Sequence, residues 1–206
     1  MLAFNADRSQ LISQARSFDP WNLVWGENRV PDGSIAASPQ DALAWLFAQP
    51  RVRRVPLAVI GPKAASEQQR NLAEALGRRL AELGMTMITG GRGGVMEAAS
   101  RGHLDAGGLP IGILPDDEWQ SANDYVALPL ATGVGVARNA IIARAAFALI
   151  AIGGEYGTLS EMALGLHFKR LVIGLNDAPQ VQGAVYLEDI DQALDRVALR
   201  LFALER

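Results

Sequence analysis

The 206-residue sequence contains no cysteine and only two histidines, His103 and His167. Zinc sites in proteins are built mainly from cysteine and histidine ligands, and a cysteine nucleophile needs a thiol. The chain has little from which to build either kind of site. We therefore expect no metal centre and no cysteine-based catalysis.

Long apolar runs and a large excess of one charge are also missing. The longest apolar run, residues 145–152, has the length of a strand, and no basic N-terminal region precedes an apolar segment as in a signal peptide. The formal net charge is −3, and the one dense basic run, Arg51, Arg53 and Arg54, falls far short of a nucleic-acid-binding stripe. We expect a cytoplasmic protein that binds neither a membrane nor a nucleic acid.

After residue 54, short apolar runs alternate with longer amphipathic stretches. The apolar runs predict strands at 55–60, 85–89, 110–114, 125–130, 148–152, 171–175 and 184–187, with Pro129 favouring a sheet edge or a strand end for the fourth. The amphipathic stretches predict helices after Ser66, from Val95, and over 136–147, 158–168 and 190–204. For residues 51–206 this pattern predicts an α/β fold, a Rossmann-like, doubly wound, mostly parallel sheet with helices on both faces.

The first 50 residues differ in composition, since they contain Trp21, Trp25 and Trp45. One helix is predicted at about 38–48, with Ser38 as its cap and Pro39 in its first turn. So short a segment can hardly bury three tryptophans alone. We interpret residues 1–50 as an extension that packs on the main domain or covers its site.

Two glycine clusters follow strand ends and precede helices, namely TGGRGGVM (89–96) and GGEYGT (153–158). Glycine lets backbone N–H groups close around an anion, and the helix dipole favours negative charge there. Neither cluster matches the ATPase phosphate loop or the dinucleotide fingerprint, and one such turn alone can serve packing. Because there are two, we predict phosphate or nucleotide contacts from Gly90, Gly91, Gly93, Gly94, Met96, Gly153, Gly154, Tyr156, Gly157 and Thr158.

The sequence resembles the Lonely Guy superfamily over about residues 55–190. The similarity lies in GGRGGVMEAASRGHLDAGGLPIGILP (90–115), ARNAIIARAAFALIAIGGEYGTLSEMALGL (137–166) and RLVIGL (170–175). Within that superfamily it looks closest to the branch that contains molybdenum cofactor carrier proteins. The resemblance implies either a phosphoribohydrolase, which splits a nucleoside 5′-monophosphate into free base and ribose 5-phosphate, or a carrier of a phosphorylated pterin.

The family signature Pro-Gly-Gly-x-Gly-Thr-x-x-Glu aligns with residues 153–161. Gly154, Gly157, Thr158 and Glu161 match it, whereas Gly153 replaces the proline and Glu155 replaces the second glycine. The resemblance also carries a functional arginine over to Arg138, and the lysine that often follows is Asn139. It thus implies catalytic roles for Arg138 and Glu161 and phosphate contacts from Arg138 and Asn139.

The chemistry of N-glycosidic hydrolysis fits these residue types. Bond breakage develops oxocarbenium character on the ribose, so a carboxylate at Glu161 can stabilise the charge or take a proton from water. Arg138 can hold phosphate or ribose oxygens. The alternatives are that Glu161 only complements the helix dipole and that Arg138 only pairs with Glu161 or Asp116. Asp116 and Asp117, at another strand end, either contact ribose or base or form a turn.

Glu155 places a negative charge in a loop expected to surround an anion. A close phosphate contact then requires that its side chain face solvent or pair with Arg92 or Arg138. Three functions stay open: a hydrolase that requires no cofactor, a carrier that binds the molybdenum cofactor without turnover, and a nucleotide sensor. The resemblance also implies a homo-oligomer, a dimer or tetramer, with the apolar helix 162–168 as a candidate contact.

Overall fold

The computed structural model describes residues 2–14, 16–27 and 34–204. Contacts between Cα atoms divide the chain into two compact units, one formed by residues 1–54 with 194–206 and the other by residues 55–193. The division falls a few residues after the expected boundary at residue 50. The assignment of the C-terminal residues to the first unit was not anticipated.

The first unit contains a small antiparallel sheet and one helix. Its strands are β1 (Ala3–Asn5), β2 (Leu11–Ser13), β3 (Arg16–Asp19), β4 (Val24–Gly26) and β5 (Ser34–Ala36), in the order β4-β3-β2-β1-β5. Helix α1 (Pro39–Phe47) begins after Ser38, whose side chain and that of Asp41 form a reciprocal capping box. The sequence predicted α1 but not the sheet, because strands of three or four residues show too little alternation to be recognised.

Aromatic residues form much of the interior of this unit. The ring of Phe18 lies edge-on to Trp25 and to Phe202, with centroid distances of 5.1 and 4.8 Å, and Trp25 Nε1 donates to the carbonyl of Phe202 at 2.7 Å. Trp21 is instead 40% exposed, and the guanidinium groups of Arg51 and Arg53 lie over its ring at 4.8 and 5.2 Å. Part of the basic run therefore stacks on an aromatic surface.

The second unit is built on a seven-stranded sheet in which every neighbouring pair is parallel. Its strands are β6 (Leu57–Ile60), β7 (Met87–Thr89), β8 (Ile111–Leu114), β9 (Leu128–Ala131), β10 (Ala148–Ile152), β11 (Leu171–Leu175) and β12 (Val185–Tyr186). The helices are α2 (Glu67–Glu82), α3 (Val95–Asp105), α4 (Arg138–Ala145), α5 (Tyr156–His167) and α6 (Ile190–Leu201), the last of which continues into the first unit. The α/β, doubly wound fold class is thus confirmed.

Agreement with the expected elements is close, and the differences have local causes. Strands β10 and β11 occupy the expected residues, and β9, which contains Pro129, is an edge strand as that residue suggested. The helix expected over 136–147 is a 3₁₀ turn at Gly135–Ala137 followed by α4. Helix α5 begins at Tyr156, two residues earlier than Thr158, because the backbone already bends at Gly153, where φ is 56°.

The order of the strands locates a crevice. The sheet order is β12-β11-β10-β6-β7-β8-β9, so the chain proceeds outward from β6 to β9 and then returns to β10 on the other side of β6. The connections after β6 and β10 therefore leave the sheet in opposite directions. Ligands of open parallel sheets bind at such a switch point, at the carboxyl ends of the strands.

No helix within the described ranges is both long enough and apolar enough to cross a membrane.

Candidate active site

A cavity of about 200 Å³ lies at the switch point between β6 and β10. We call it the switch-point cavity. Its lining comes from the loop after β6, from the first turns of α3 and α4, and from the N-cap and first two turns of α5. It comprises Gly61, Pro62, Lys63, Met96, Arg138, Asn139, Glu155, Gly157, Thr158 and Glu161. Seven of these positions were singled out from the sequence; the loop after β6 was not.

The loop Gly61–Lys63 was missed because it has only one glycine and no recognised motif. A topological signal was available, however, since the first strand of a doubly wound sheet lies at its centre and the following loop borders the switch point. Lys63 has an exposed side chain that lines the cavity and forms no ion pair among the described residues. Lys63 therefore supplies a cation to the cavity that no sequence motif indicated.

The first glycine cluster supports the cavity wall more than it lines it. Gly94 has φ of 71°, and a Cβ atom there would lie 2.3 Å from the carbonyl oxygens of Pro62 and Lys63. A Cβ on Gly90 would lie 2.3 Å from Nη2 of Arg138. Of the predicted ligand contacts in this cluster, only Met96 lies on the cavity surface within the described part of the chain. Gly91 and Gly93 do not line it.

The second cluster places the N-terminus of α5 at the cavity. Gly157 and Thr158, in the first turn, line it, and no heavy atom lies within 4 Å of a Cβ position on Gly157. The side chain of the N-cap residue, Glu155, does not bond to the first-turn N–H groups. These donors are therefore available to an anion. Gly153 and Gly154 form the turn before the helix, and Tyr156 is 90% exposed and lies outside the cavity.

Arg138 and Glu161 form a buried ion pair on the cavity wall. Arg138, the first residue of α4, donates from Nη1 to Oε1 of Glu161 at 2.9 Å, and the two side chains are 9% and 7% exposed. Arg138 Nη1 also donates to Asn139 Oδ1 at 2.8 Å, and Nη2 donates to the carbonyl of Gly90 at 3.4 Å. The first glycine cluster thus provides a bare backbone against which the guanidinium lies.

Asn139 connects the two helices that carry the pair. Its Nδ2 donates to Oγ of Ser160 at 2.8 Å and to the carbonyl of Gly157 at 3.4 Å. Ser160 Oγ in turn donates to the same carbonyl at 2.7 Å. These bonds fix the N-terminus of α4 against the first turn of α5, so the cation and the anion-binding turn hold a defined separation.

Burial raises the pKa of Glu161 to about 7, and the charge and hydrogen bond of Arg138 lower it in part. Burial likewise lowers the pKa of Arg138, which Glu161 opposes, although an arginine remains cationic at neutral pH. Glu161 is therefore divided between its acid and carboxylate forms near pH 7. Such a carboxyl group can exchange a proton under physiological conditions.

Glu155 is exposed to solvent and lines the cavity. Neither arginine named as its partner is free, because Arg92 Nη2 lies 2.8 Å from Asp116 Oδ2 and Arg138 pairs with Glu161. Within the described residues, no ion pair or hydrogen bond involves the Glu155 carboxylate. The Glu155 side chain therefore faces solvent and does not pair with Arg92 or Arg138.

Asp116 and Asp117 do not line the switch-point cavity. Asp116 pairs with Arg92 and accepts a hydrogen bond from Ser121 Oγ at 2.8 Å. Oδ1 of Asp117 lies 2.7 Å from a Cβ position on Gly133. In this structure both aspartates contact the turns after β8 and β9.

The chain belongs to the SLOG cluster4 family, whose model matches residues 54–198. This match confirms the resemblance to the Lonely Guy superfamily. The two glycine clusters and the Arg138–Glu161 pair all lie within the matched range.

The proteins similar to this chain include a protein of uncharacterised function, a hydrolase and a carrier. A protein of uncharacterised function from Archaeoglobus fulgidus is 37% identical over 139 residues, which are 68% of this chain and 91% of that protein. The cytokinin riboside 5′-monophosphate phosphoribohydrolase of Rhodococcoides fascians is 32% identical over 124 residues, 52% of this chain and 59% of that enzyme. The solved structure of the molybdenum cofactor carrier protein of Chlamydomonas reinhardtii is 34% identical in sequence and has a TM-score of 0.65. The alignment covers 72% of this chain and 99% of that protein.

Proposed function

We propose that the protein is a nucleoside 5′-monophosphate phosphoribohydrolase. The observation that carries the proposal is the position of Glu161, a buried carboxyl group with a pKa of about 7 on the wall of the cavity that also holds the uncapped N-terminus of α5. An anion-binding turn and a proton-exchanging group in one cavity are what this hydrolysis requires.

In the proposed complex the 5′-phosphate binds at the first turn of α5. The N–H groups of Gly157 and Thr158 donate to it, and Lys63 and Arg138, which line the same cavity, supply positive charge. A dianionic phosphate gains from both the helix dipole and the two cations. Asn139 keeps Arg138 at a fixed distance from that turn.

The hydrolytic step needs one proton acceptor and no redox change. Water attacks C1′ of the ribose and loses a proton to Glu161, and the C1′–N bond breaks with its electron pair going to the base. The base takes up a proton from Glu161 or from solvent and leaves in its neutral form. The Glu161 carboxylate accepts the proton from the attacking water and stabilises positive charge at C1′. Arg138 holds that carboxylate in place at 2.9 Å.

The discriminating experiment is an assay of purified protein with AMP, GMP, IMP, CMP and UMP. Chromatography should detect free base and ribose 5-phosphate in equal amounts, as the bond balance requires. The absence of turnover on every monophosphate would overturn the proposal.

The pH dependence of turnover follows from the raised pKa of Glu161. The catalytic form is the carboxylate, so kcat/KM, which reports the ligand-free protein, should rise with pH through a midpoint near 7 and level off above it. This midpoint lies above the usual range for a glutamate because burial favours the neutral form. Initial rates at substrate concentrations far below KM between pH 5 and 9 measure it. A kcat/KM independent of pH across this range would exclude Glu161 as the base.

A carrier of a phosphorylated pterin is the second candidate, and two observations favour it. The carrier of Chlamydomonas reinhardtii aligns over nearly its whole length, and Glu155 stands where the hydrolase signature has glycine. The anion-binding turn of α5 would hold the pterin phosphate. The sequence has no cysteine, so a bound molybdenum would depend on the dithiolene sulfurs of the cargo itself rather than on protein thiolates. Tight binding of the molybdenum cofactor without any monophosphate turnover would favour this candidate.

We also propose that the protein is a homodimer. The contact expected from helix 162–168 is not supported, since Met162 is fully buried and Leu164 and Leu166 pack against the same core. Exposed apolar side chains lie instead on edge strand β9 and on the segment before α4, namely Leu128, Leu130, Val134 and Val136. Light scattering should give twice the chain mass, and Leu130→Lys should lower it to the monomer value. A monomeric mass for the wild type would contradict the proposal.

A further inference from the structure

A second cleft adjoins the switch-point cavity on the side of β11. It has a volume of about 310 Å³ and is lined by Glu155, Tyr156, Leu159 and Pro179. We call it the Tyr156 cleft. Glu155 lines both spaces, so a ligand whose phosphate binds at the first turn of α5 can extend past this residue into the cleft.

The cleft offers apolar walls and a fixed shape. Pro179 is held by its neighbours, because Tyr186 Oη donates to its carbonyl at 2.7 Å and accepts from the N–H of Val181 at 2.6 Å. The Cδ atom of Pro179 lies 3.0 Å from a Cβ position on Gly154, so the proline contacts the turn before α5. An apolar wall of this kind can contact the face of a planar ring.

Tyr156 has no packing role that explains its type. Its side chain is 90% exposed although it belongs to the first turn of a helix at the cavity. An exposed aromatic ring beside an apolar cleft is a platform on which a heteroaromatic ring can stack.

Glu155 is the one charged residue of this cleft within the described part of the chain, and its carboxylate has no protein partner there. A carboxylate accepts two parallel hydrogen bonds most favourably from neighbouring N–H donors. Guanine and pterins present such a pair, a ring N–H next to an exocyclic amino group. Adenine presents an amino group beside an unprotonated ring nitrogen, whose lone pair the carboxylate repels.

We propose that the Tyr156 cleft binds a planar ring with the 2-aminopyrimidin-4-one edge that guanine and the pterins share, and that Glu155 recognises this edge. The inference rests on the proposed binding of the ligand phosphate in the switch-point cavity and names the class of ring attached to it. It also gives a function to Glu155, the acid that replaces a glycine of the family signature. The Glu155 carboxylate accepts hydrogen bonds from the N–H groups of the ring, while the phosphate lies on the other side of Glu155.

Titration calorimetry with GMP, IMP, AMP and ribose 5-phosphate tests the inference. The titrations use the Glu161→Gln background, so that no ligand is consumed. GMP should bind about tenfold or more tightly than AMP, and IMP, which has the ring N–H but no 2-amino group, should fall between them. Equal affinities for GMP and AMP would overturn the inference.

Glu155→Gln should abolish the preference for GMP while leaving ribose 5-phosphate binding unchanged or slightly stronger. Glu82→Gln, which removes a charge from the last turn of α2, is the matched control and should retain the preference. A GMP preference that survives Glu155→Gln would overturn the role of this residue.

Tyr156→Ala should weaken GMP binding about tenfold and leave ribose 5-phosphate binding unchanged, whereas Tyr156→Phe should retain the affinity for GMP. The same variants are examined by light scattering. If Tyr156→Ala lowers the mass of the assembly without changing GMP affinity, the cleft holds a second copy of the chain and the inference is wrong.

Neopterin monophosphate distinguishes the two sources of the ring. Tighter binding of this pterin than of GMP identifies a pterin ligand, and the reverse identifies a nucleotide; both support recognition of the shared edge. A preference for GMP without hydrolysis would retain the inference and reject the phosphoribohydrolase. Equal hydrolysis of GMP and AMP would support the phosphoribohydrolase and reject the inference about the ring. Failure of every phosphorylated ligand to bind would reject both the phosphoribohydrolase and the inference.

Discussion

Replacing Glu161 by glutamine should lower kcat for monophosphate hydrolysis by about 10²–10⁴-fold, the usual contribution of a positioned general base. Glutamine has nearly the same shape and can still accept a hydrogen bond from Arg138, so the fold and the phosphate contacts should persist. It cannot accept the proton of the attacking water. We therefore expect ligand affinity to change little while turnover is lost.

Two measurements separate this outcome from a structural effect. Binding of ribose 5-phosphate reports whether the switch-point cavity is intact, and the pH dependence of any residual rate should no longer show a midpoint near 7. Glu118→Gln, at an exposed position outside the cavity, is the matched control and should retain wild-type kcat. Retention of most of the activity in Glu161→Gln would place the base elsewhere.

The second large effect concerns stability. Arg138→Met should lower the free energy of unfolding at pH 8 by about 1–3 kcal/mol, because Glu161 must then either carry a buried charge without its cation or take up a proton. The side chains of the pair are 9% and 7% exposed, so little solvent screening reduces this value. Urea unfolding followed by circular dichroism measures the change.

The effect should depend on pH in a defined direction. The pKa of Glu161 is raised from 4.5 to about 7, so the native state holds its proton more tightly than the unfolded chain does. Stability from this group is fully present below about 4.5 and is lost as pH rises through 7. Without Arg138 the pKa of Glu161 rises further, so the loss of stability from this group continues to higher pH. Arg138→Met should therefore destabilise less at pH 5 than at pH 8.

Two comparisons test the cause. Combining Arg138→Met with Glu161→Gln removes both charges and should recover most of the lost stability, which a double-mutant cycle quantifies. Arg79→Met breaks an exposed pair with Glu82 at 3.1 Å and should cost at most about 1 kcal/mol. If the double variant is as unstable as Arg138→Met alone, lost packing rather than unpaired charge is responsible.

Sequence patterns predicted the second unit well because its strands are buried on both faces. Strands such as β10 and β11 are buried at every position, so they read as uninterrupted apolar runs that end at glycines or asparagine. The first unit gave no such signal. Its strands are short, and its core depends on Phe202, which lies about 180 residues along the chain from Phe18.

The residues of the candidate site likewise include some that the sequence identified and others that only the structure revealed. The signature around Glu161 is local, so its residues were named from the sequence, whereas the Gly61–Lys63 loop became recognisable only from the position of β6 in the sheet. The structure also gives the glycines different roles. Gly90 accommodates Arg138, and Gly94 lies against the carbonyls of Pro62 and Lys63, which no periodic pattern encodes.

The aromatic contacts of Phe202 with Phe18 and Trp25 have a consequence for biosynthesis. A ribosome releases the N-terminal residues first, but their hydrophobic partner emerges only after the whole parallel sheet has been translated. Phe18 and Trp25 therefore lack the Phe202 ring as a packing partner for as long as the parallel sheet is being translated.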